Sequence, residues 1–223
     1  SPDGLAIDIK LKADRRFADG TLVDAAAVAY SLRRTLAMDR GPASYLTWLD
    51  RVEVLSPEHV RLVLKRPFAP ALELLTLSPA SIVNPKQTAA HDVGDYAAGW
   101  LSDHSAGSGP YQILRHRSGE ETVLVANAFS ARKVRQFKRV EIRAVPDEGV
   151  RRLLLERGDA DIADPVPAAL VARYGALPGV TTLTEQGGTS LTDRHAKPED
   201  HRRRSPKSFR VGVKSRALSA LRG

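Results

Sequence analysis

Residues 105–113 (SAGSGPYQI) constrain this chain more than any other stretch. Gly107 and Gly109 flank Ser108 and lead through Pro110 into the alternating pair Tyr111 and Ile113. A backbone free to turn is thus fixed abruptly at the mouth of a strand. The spacing reads as a crossing point, where the chain leaves one set of strands and helices and enters another. The same cluster also fits an ordinary loop. It does not fit a phosphate loop, whose glycines follow a strand and open a helix, because here a strand comes after them. The order of elements on either side must decide.

Ile7, Ile9 and Leu11 alternate with Asp8, Lys10 and Lys12, one face apolar and the other charged, which predicts a half-buried strand. Asp19-Gly20 turns the chain, and Asp24 stands where it can cap a helix over 25–38 with Val28, Leu32 and Leu36 on one side. Gly41-Pro42 stops that helix, and Tyr45, Leu46, Trp48 and Leu49 form a short aromatic segment. Val52 and Val54, then Val60, Leu62 and Leu64, alternate about Ser56-Pro57 as a hairpin. A short helix over 71–77 and a brief strand over 81–85 are expected next. Beyond the crossing, strands are expected at 122–125 and 140–145, then a helix over 150–157 capped by Asp147 and stopped by Gly158. A strand at 159–163, a helix over 167–174 and a strand at 180–183 follow. The order is mixed α and β throughout.

At 223 residues, 42% hydrophobic and 27% charged, the chain has the length and composition to bury the core of one large domain or two small ones. It contains no cysteine. Disulfides, thiolate metal sites and cysteine nucleophiles are therefore excluded, while the compartment stays open. No apolar run approaches the roughly 18 residues needed to cross a bilayer. Residues 191–223 hold ten Lys/Arg against three Asp/Glu, a net of +7, which leaves +1 of the total +8 for the first 190 residues. A basic tail on a neutral body points to nucleic acid far less than a basic face does. The chain starts at Ser1 without a basic n-region or an apolar h-region, so an export signal is expected to lie outside this sequence.

Catalytic constellations are missing from the pattern. His59, His91, His104, His116, His195 and His201 include no HExxH pair, and Gly107-Ser108-Gly109 is not a nucleophile elbow. No enzyme activity, cofactor or metal site is expected.

Seven phrases carry a resemblance. They are Phe17-Ala-Asp19-Gly20-Thr21; Asp24 through Val28-Ala-Tyr30-Ser31-Leu32-Arg33-Arg34; Val60-Arg-Leu62-Val63-Leu64-Lys65-Arg66-Pro67-Phe68-Ala69-Pro70; Ser81-Ile-Val-Asn-Pro-Lys86; Gly107-Ser-Gly-Pro-Tyr111; Val140-Glu-Ile-Arg-Ala-Val-Pro-Asp147; and Leu155-Glu-Arg-Gly158-Asp-Ala-Asp161-Ile162. In this order, over roughly residues 1–190, the chain resembles the dipeptide and oligopeptide class (family 5) of ABC-transporter solute-binding proteins. The chain departs from that family at Asn127-Ala-Phe129-Ser130, where the family has an Asn-Pro-x-Tyr-Trp phrase, and again after Thr189.

The resemblance implies a class II periplasmic-binding-protein-like α/β fold that is incomplete: the small subdomain and the middle of the first large lobe, without the second lobe. It places a small inserted subdomain at 1–105 and the middle of the large lobe at 106–190; the basic tail at 191–223 is unlike the family and is expected to be disordered, because 192–208 has almost no large apolar residue, two prolines and the run Arg202 to Arg204. It implies a monomer that captures a peptide or other small solute for ABC permease subunits, in the periplasm or anchored outside the membrane, with no nucleic-acid partner. The class also takes nickel complexes, glutathione, haem and sugars. By the same resemblance Tyr45 and Trp48 wall the ligand cleft and Asp164 meets a ligand amine, although each also fits ordinary packing or a solvated loop. Gly107, Gly109, Pro110 and Tyr111 form the hinge-like crossing. Two other readings remain: a frame-altered, non-functional fragment of such a protein, and a nucleic-acid module using its basic tail.

Overall fold

The computed structural model describes residues 1–39, 41–134, 136–184, 190–193 and 209–213. The chain divides into two compact units, Ser1–Gln112 with Asn127–Lys133, and Ile113–Ala126 with Val134–Gly223.

The first unit is built on a three-stranded antiparallel sheet, in the order β1 (Ala6–Lys10), β3 (His59–Leu64), β2 (Leu49–Ser56). Val60, Leu62 and Leu64 turn inward in the central strand, and the expected alternation in β1 pairs Ile7 with Leu62 and Ile9 with Val60. Helix α1 (Ala25–Ala37) lays Ala25, Val28, Ala29 and Leu32 on this sheet, joined by Leu46, Trp48, Leu49 and Val52 in one core. Each buried Val or Leu contributes about 1.5–3 kcal/mol. Asp24 caps α1 as expected, its carboxylate accepting from the Ala27 N–H at 2.8 Å. A 3-10 turn, Gly41–Leu46, follows.

Two expectations in this unit are corrected. The helix expected over 71–77 ends early, as α2 (Ala71–Leu74), and a 3-10 turn at Ser78–Ala80 follows it. No strand forms over 81–85. Asn84 instead caps helix α3 (Pro85–Ala90), its side chain accepting from Lys86 N and Gln87 N, and Pro85 suits a first helical position where no N–H is needed. Helix α4 (Ala98–Leu101) completes the unit's helices among the described residues.

The other sheet has seven strands in the order β4 (Tyr111–Arg117), β5 (Glu121–Ala126), β6 (Arg139–Ala144), β10 (Phe209–Val213), β7 (Ile162–Asp164), β9 (Ser190–Asp193), β8 (Thr181–Thr184). Helix α5 (Glu148–Arg157) links β6 to β7, capped by Asp147 and closed by Gly158 in the left-handed conformation. β10 runs parallel to both β6 and β7 and lies between them. The disorder expected from residue 191 onward therefore does not hold for residues 191–193 and 209–213, whose backbone groups pair in a sheet; the rest of that tail lies outside the described residues. The helix expected over 167–174 is a 3-10 turn, Ala168–Leu170, followed by α6 (Val171–Gly175). Leu155, Ala163, Val166 and fully buried Tyr174 form the core here, and burial pushes the Tyr174 hydroxyl up to about 12.

Candidate functional site

In the first unit the turn between α1 and β2 brings Trp48 under the end of β3. The backbone N–H of Lys65 donates to Trp48 O at 3.0 Å, so the residues after Leu64 run back over the indole. Trp48 is 6% exposed, donates through Nε1 to Tyr45 O at 2.8 Å, and stacks on Phe68 with ring centroids 6.0 Å apart and planes 18° from parallel. Around this pair lies a cavity of about 310 Å³ lined by Ser44, Thr47, Trp48, Lys65, Arg66, Phe68 and Leu74. Trp48 is thus a cavity wall. Tyr45 is 48% exposed and does not line the cavity. Lys65, Arg66 and Phe68 were in view in the sequence only as part of a phrase. Their convergence on Trp48 depends on how the strand end folds back, which no local spacing reveals.

A second cavity of about 420 Å³ is lined by Phe17, Asp24, Tyr30, Asn84 and Lys86 among others. Most of its polar groups are already engaged: Asp24 caps α1, and Tyr30 Oη accepts from Thr88 Oγ1 at 2.9 Å. Asn84, 1% exposed, donates to Asp19 Oδ2 at 2.7 Å and Thr21 Oγ1 at 3.1 Å besides capping α3. Burial pushes the Asp19 carboxyl up, but hydrogen bonds from Thr21 and Asn84 outweigh it and hold the group below the usual carboxylate range.

The same network pins the Gly-rich stretch. Asn84 N donates to Ala106 O at 2.8 Å and Ala18 N to Gly107 O at 3.2 Å. Asn127, 4% exposed, donates from Nδ2 to Gly109 O at 2.9 Å and from its backbone to Pro110 O at 2.8 Å. Neither Gly107 nor Gly109 has a positive φ, and an added Cβ would meet nothing closer than 3.9 Å. The turning freedom read from these glycines is not used in this conformation. Tyr111 opens β4, and the first unit ends one residue later, at Gln112.

Asp164 ends β7 in the second unit, immediately before a cis Asp164–Pro165 bond. The side chain is half-buried, and among the described residues its buried Oδ1 has no hydrogen-bond partner. Burial pushes this carboxyl above the usual range, and the charge of Arg151 only partly offsets it. Arg151, 3% exposed, donates from Nη1 to Val145 O at 2.7 Å and Pro146 O at 2.9 Å, and from Nη2 to Pro165 O at 3.4 Å. The segments that follow β6 and β7 are therefore held by one guanidinium. An acceptor oxygen kept half-dry beside a fixed cation suits recognition of a donor group.

The model of the family described as "Bacterial extracellular solute-binding proteins, family 5 Middle" matches residues 1–194. The probable D,D-dipeptide-binding periplasmic protein DdpA of Escherichia coli K12 is 39% identical over 157 residues, which are 70% of this chain and 30% of that protein. The glutathione-binding protein GsiB of Salmonella paratyphi A is 28% identical over 181 residues, 78% of this chain and 34% of its own. The structure of AgaA from A. tumefacien R10 in complex with agropinic acid superimposes with a TM-score of 0.71 at 28% identity, covering 82% of this chain and 36% of that one. The chain spans about a third of the length of these proteins.

Proposed function

Because the chain belongs to the bacterial extracellular solute-binding proteins of family 5, we propose that it serves as the solute-capturing component of an ABC import system. In this reading it holds a peptide or similarly small solute outside the cytoplasmic membrane, in the periplasm or anchored to it, and passes it as a monomer to permease subunits. The observation that carries the reading is the family match through residues 1–194. The relatives are named for D,D-dipeptides and glutathione, which supports a small, peptide-like solute here. No reaction is required of such a protein, only hydrogen-bond partners and apolar walls at fixed positions.

Residues 1–105 then form the small inserted subdomain and 106–190 the middle of the large lobe, with Gly107, Gly109, Pro110 and Tyr111 as the passage between them. Trp48 is a wall for the solute, Tyr45 an exposed aromatic beside it, and Asp164 an acceptor for a ligand amine. The Oδ1 of Asp164, buried and without a hydrogen-bond partner among the described residues, supports that last role. The relatives give a nucleic-acid role for the tail no support.

Calorimetry of the full chain against di- and tripeptides and glutathione tests the proposal. With about a third of the relatives' length present, the expected dissociation constants are weaker than about 1 μM, and Asp164→Ala removes most of the heat. Absence of heat with every solute, or affinities indifferent to Asp164→Ala and Trp48→Ala alike, overturns it.

A further inference from the structure

The groups lining the Trp48 cavity are unevenly committed. Ser44 Oγ donates to Gly41 O at 2.8 Å, Thr47 Oγ1 donates to Ser44 O at 3.2 Å, and the indole Nε1–H is spent on Tyr45 O. Each neutral donor side chain in the lining is therefore satisfied within its own turn. What remains is the ammonium of Lys65 and the guanidinium of Arg66, two adjacent cations for which no ion pair is found among the described residues. Among the described residues no carboxylate lines the cavity; Glu73, next to Leu74 on α2, is not part of the wall. The floor is apolar, made of the Trp48–Phe68 stack and Leu74.

A concave site with an apolar floor and donors only of positive charge selects an apolar anion. We infer that this cavity binds a small apolar carboxylate, its hydrocarbon part on Phe68 and Leu74 beside the edge of Trp48 and its carboxylate at the rim between Lys65 and Arg66. A volume of about 310 Å³ stands at the lower limit for small-molecule sites, so it takes one side-chain-sized group and not an extended chain. The carboxylate belongs either to a free acid or to the C-terminus of a short peptide. The inference rests on the solute-capturing reading and narrows it.

The test is a titration of the full chain followed by amide NMR, with 3-phenylpropionate, phenethylamine, Ala-Phe and Ala-Phe-amide as probes. 3-Phenylpropionate is expected to shift amides at residues 44–48 and 65–68, phenethylamine to shift none there, and the Lys65→Gln/Arg66→Gln variant to weaken the acid by tenfold or more. Ala-Phe binding there while Ala-Phe-amide does not assigns the carboxylate to peptide termini; both failing assigns it to free acids. Equal binding of the amine, shifts confined to other residues, or affinity unchanged in the double glutamine variant overturns the inference. Both glutamine changes are at exposed positions, so the fold is retained. A solute found by calorimetry whose binding ignores this variant overturns the carboxylate site alone and leaves solute capture standing.

Discussion

Among the carboxylates held away from their ordinary state, Asp19 and Asp164 are moved in opposite directions, and acid should reveal both. Asp19 is kept below the usual range by Thr21 and Asn84. The stability it adds is therefore present above the ordinary carboxylate pKa near 4 and is lost as the pH falls through its depressed value. Asp164 is raised by burial, so the folded state prefers it protonated, and the contribution disappears as the pH climbs through the raised value. Thermal melts from pH 3 to pH 7.5 should show Asp164→Asn more stable than the parent near neutrality, with the gap closing on acidification. Asp19→Asn should be less stable near neutrality, with the gap again closing in acid. Asn84 is a larger stake, because its one side chain caps α3 and ties Asp19 to Thr21. Asn84→Ala should cost about 2–3 kcal/mol in urea denaturation.

At the scale of elements, the glycines separate into those the structure requires and those it tolerates. Gly20 has φ +87° and an added Cβ would lie 3.1 Å from the Phe129 ring, so Gly20→Ala should destabilise by about 1–3 kcal/mol. Gly107 and Gly109 face neither constraint, and Ala at both should change stability by less than about 0.5 kcal/mol. Sequence inspection ranked them the other way, because it weighs a glycine by its company and cannot see φ or the approach of a ring from residue 129. It succeeded where the signal is local. The period-two pattern of Val60, Leu62 and Leu64, the caps Asp24 and Asp147, and the stop at Gly158 all act within a turn or a strand of themselves. Asn84-Pro85 misled in the same region for a plain reason: the apolar pair Ile82 and Val83 before it matches a strand, while the Asn side chain that starts a helix looks identical in either setting. The Trp48 cavity was half legible, since the aromatic wall stands in sequence but its cations arrive from 17 residues away.

For the whole molecule, the placement of β10 matters most. This strand lies past the reach of the family match, which stops at residue 194, and yet it fills the slot between β6 and β7 with five backbone pairings on one side and three on the other. Removing residues 209–223 should therefore weaken amide-exchange protection across β6 and β7, whereas protection in β1, β2 and β3 should be unaffected. Equal protection with and without those residues would mean that the sheet does not depend on the strand. The composition that points to disorder belongs to residues 192–208, while β10 pairs through main-chain groups of residues 209–213, to which such counts are blind.

The order in which the ribosome delivers these strands then matters. β10 emerges some 65 residues after the end of β6, so for several seconds of synthesis at ordinary elongation rates β6 and β7 have no partner between them. The three strands of the first unit, by contrast, have all emerged by residue 64. Such a nascent chain would carry one finished body and one with two raw edges, and a holdase chaperone would find its client in the second.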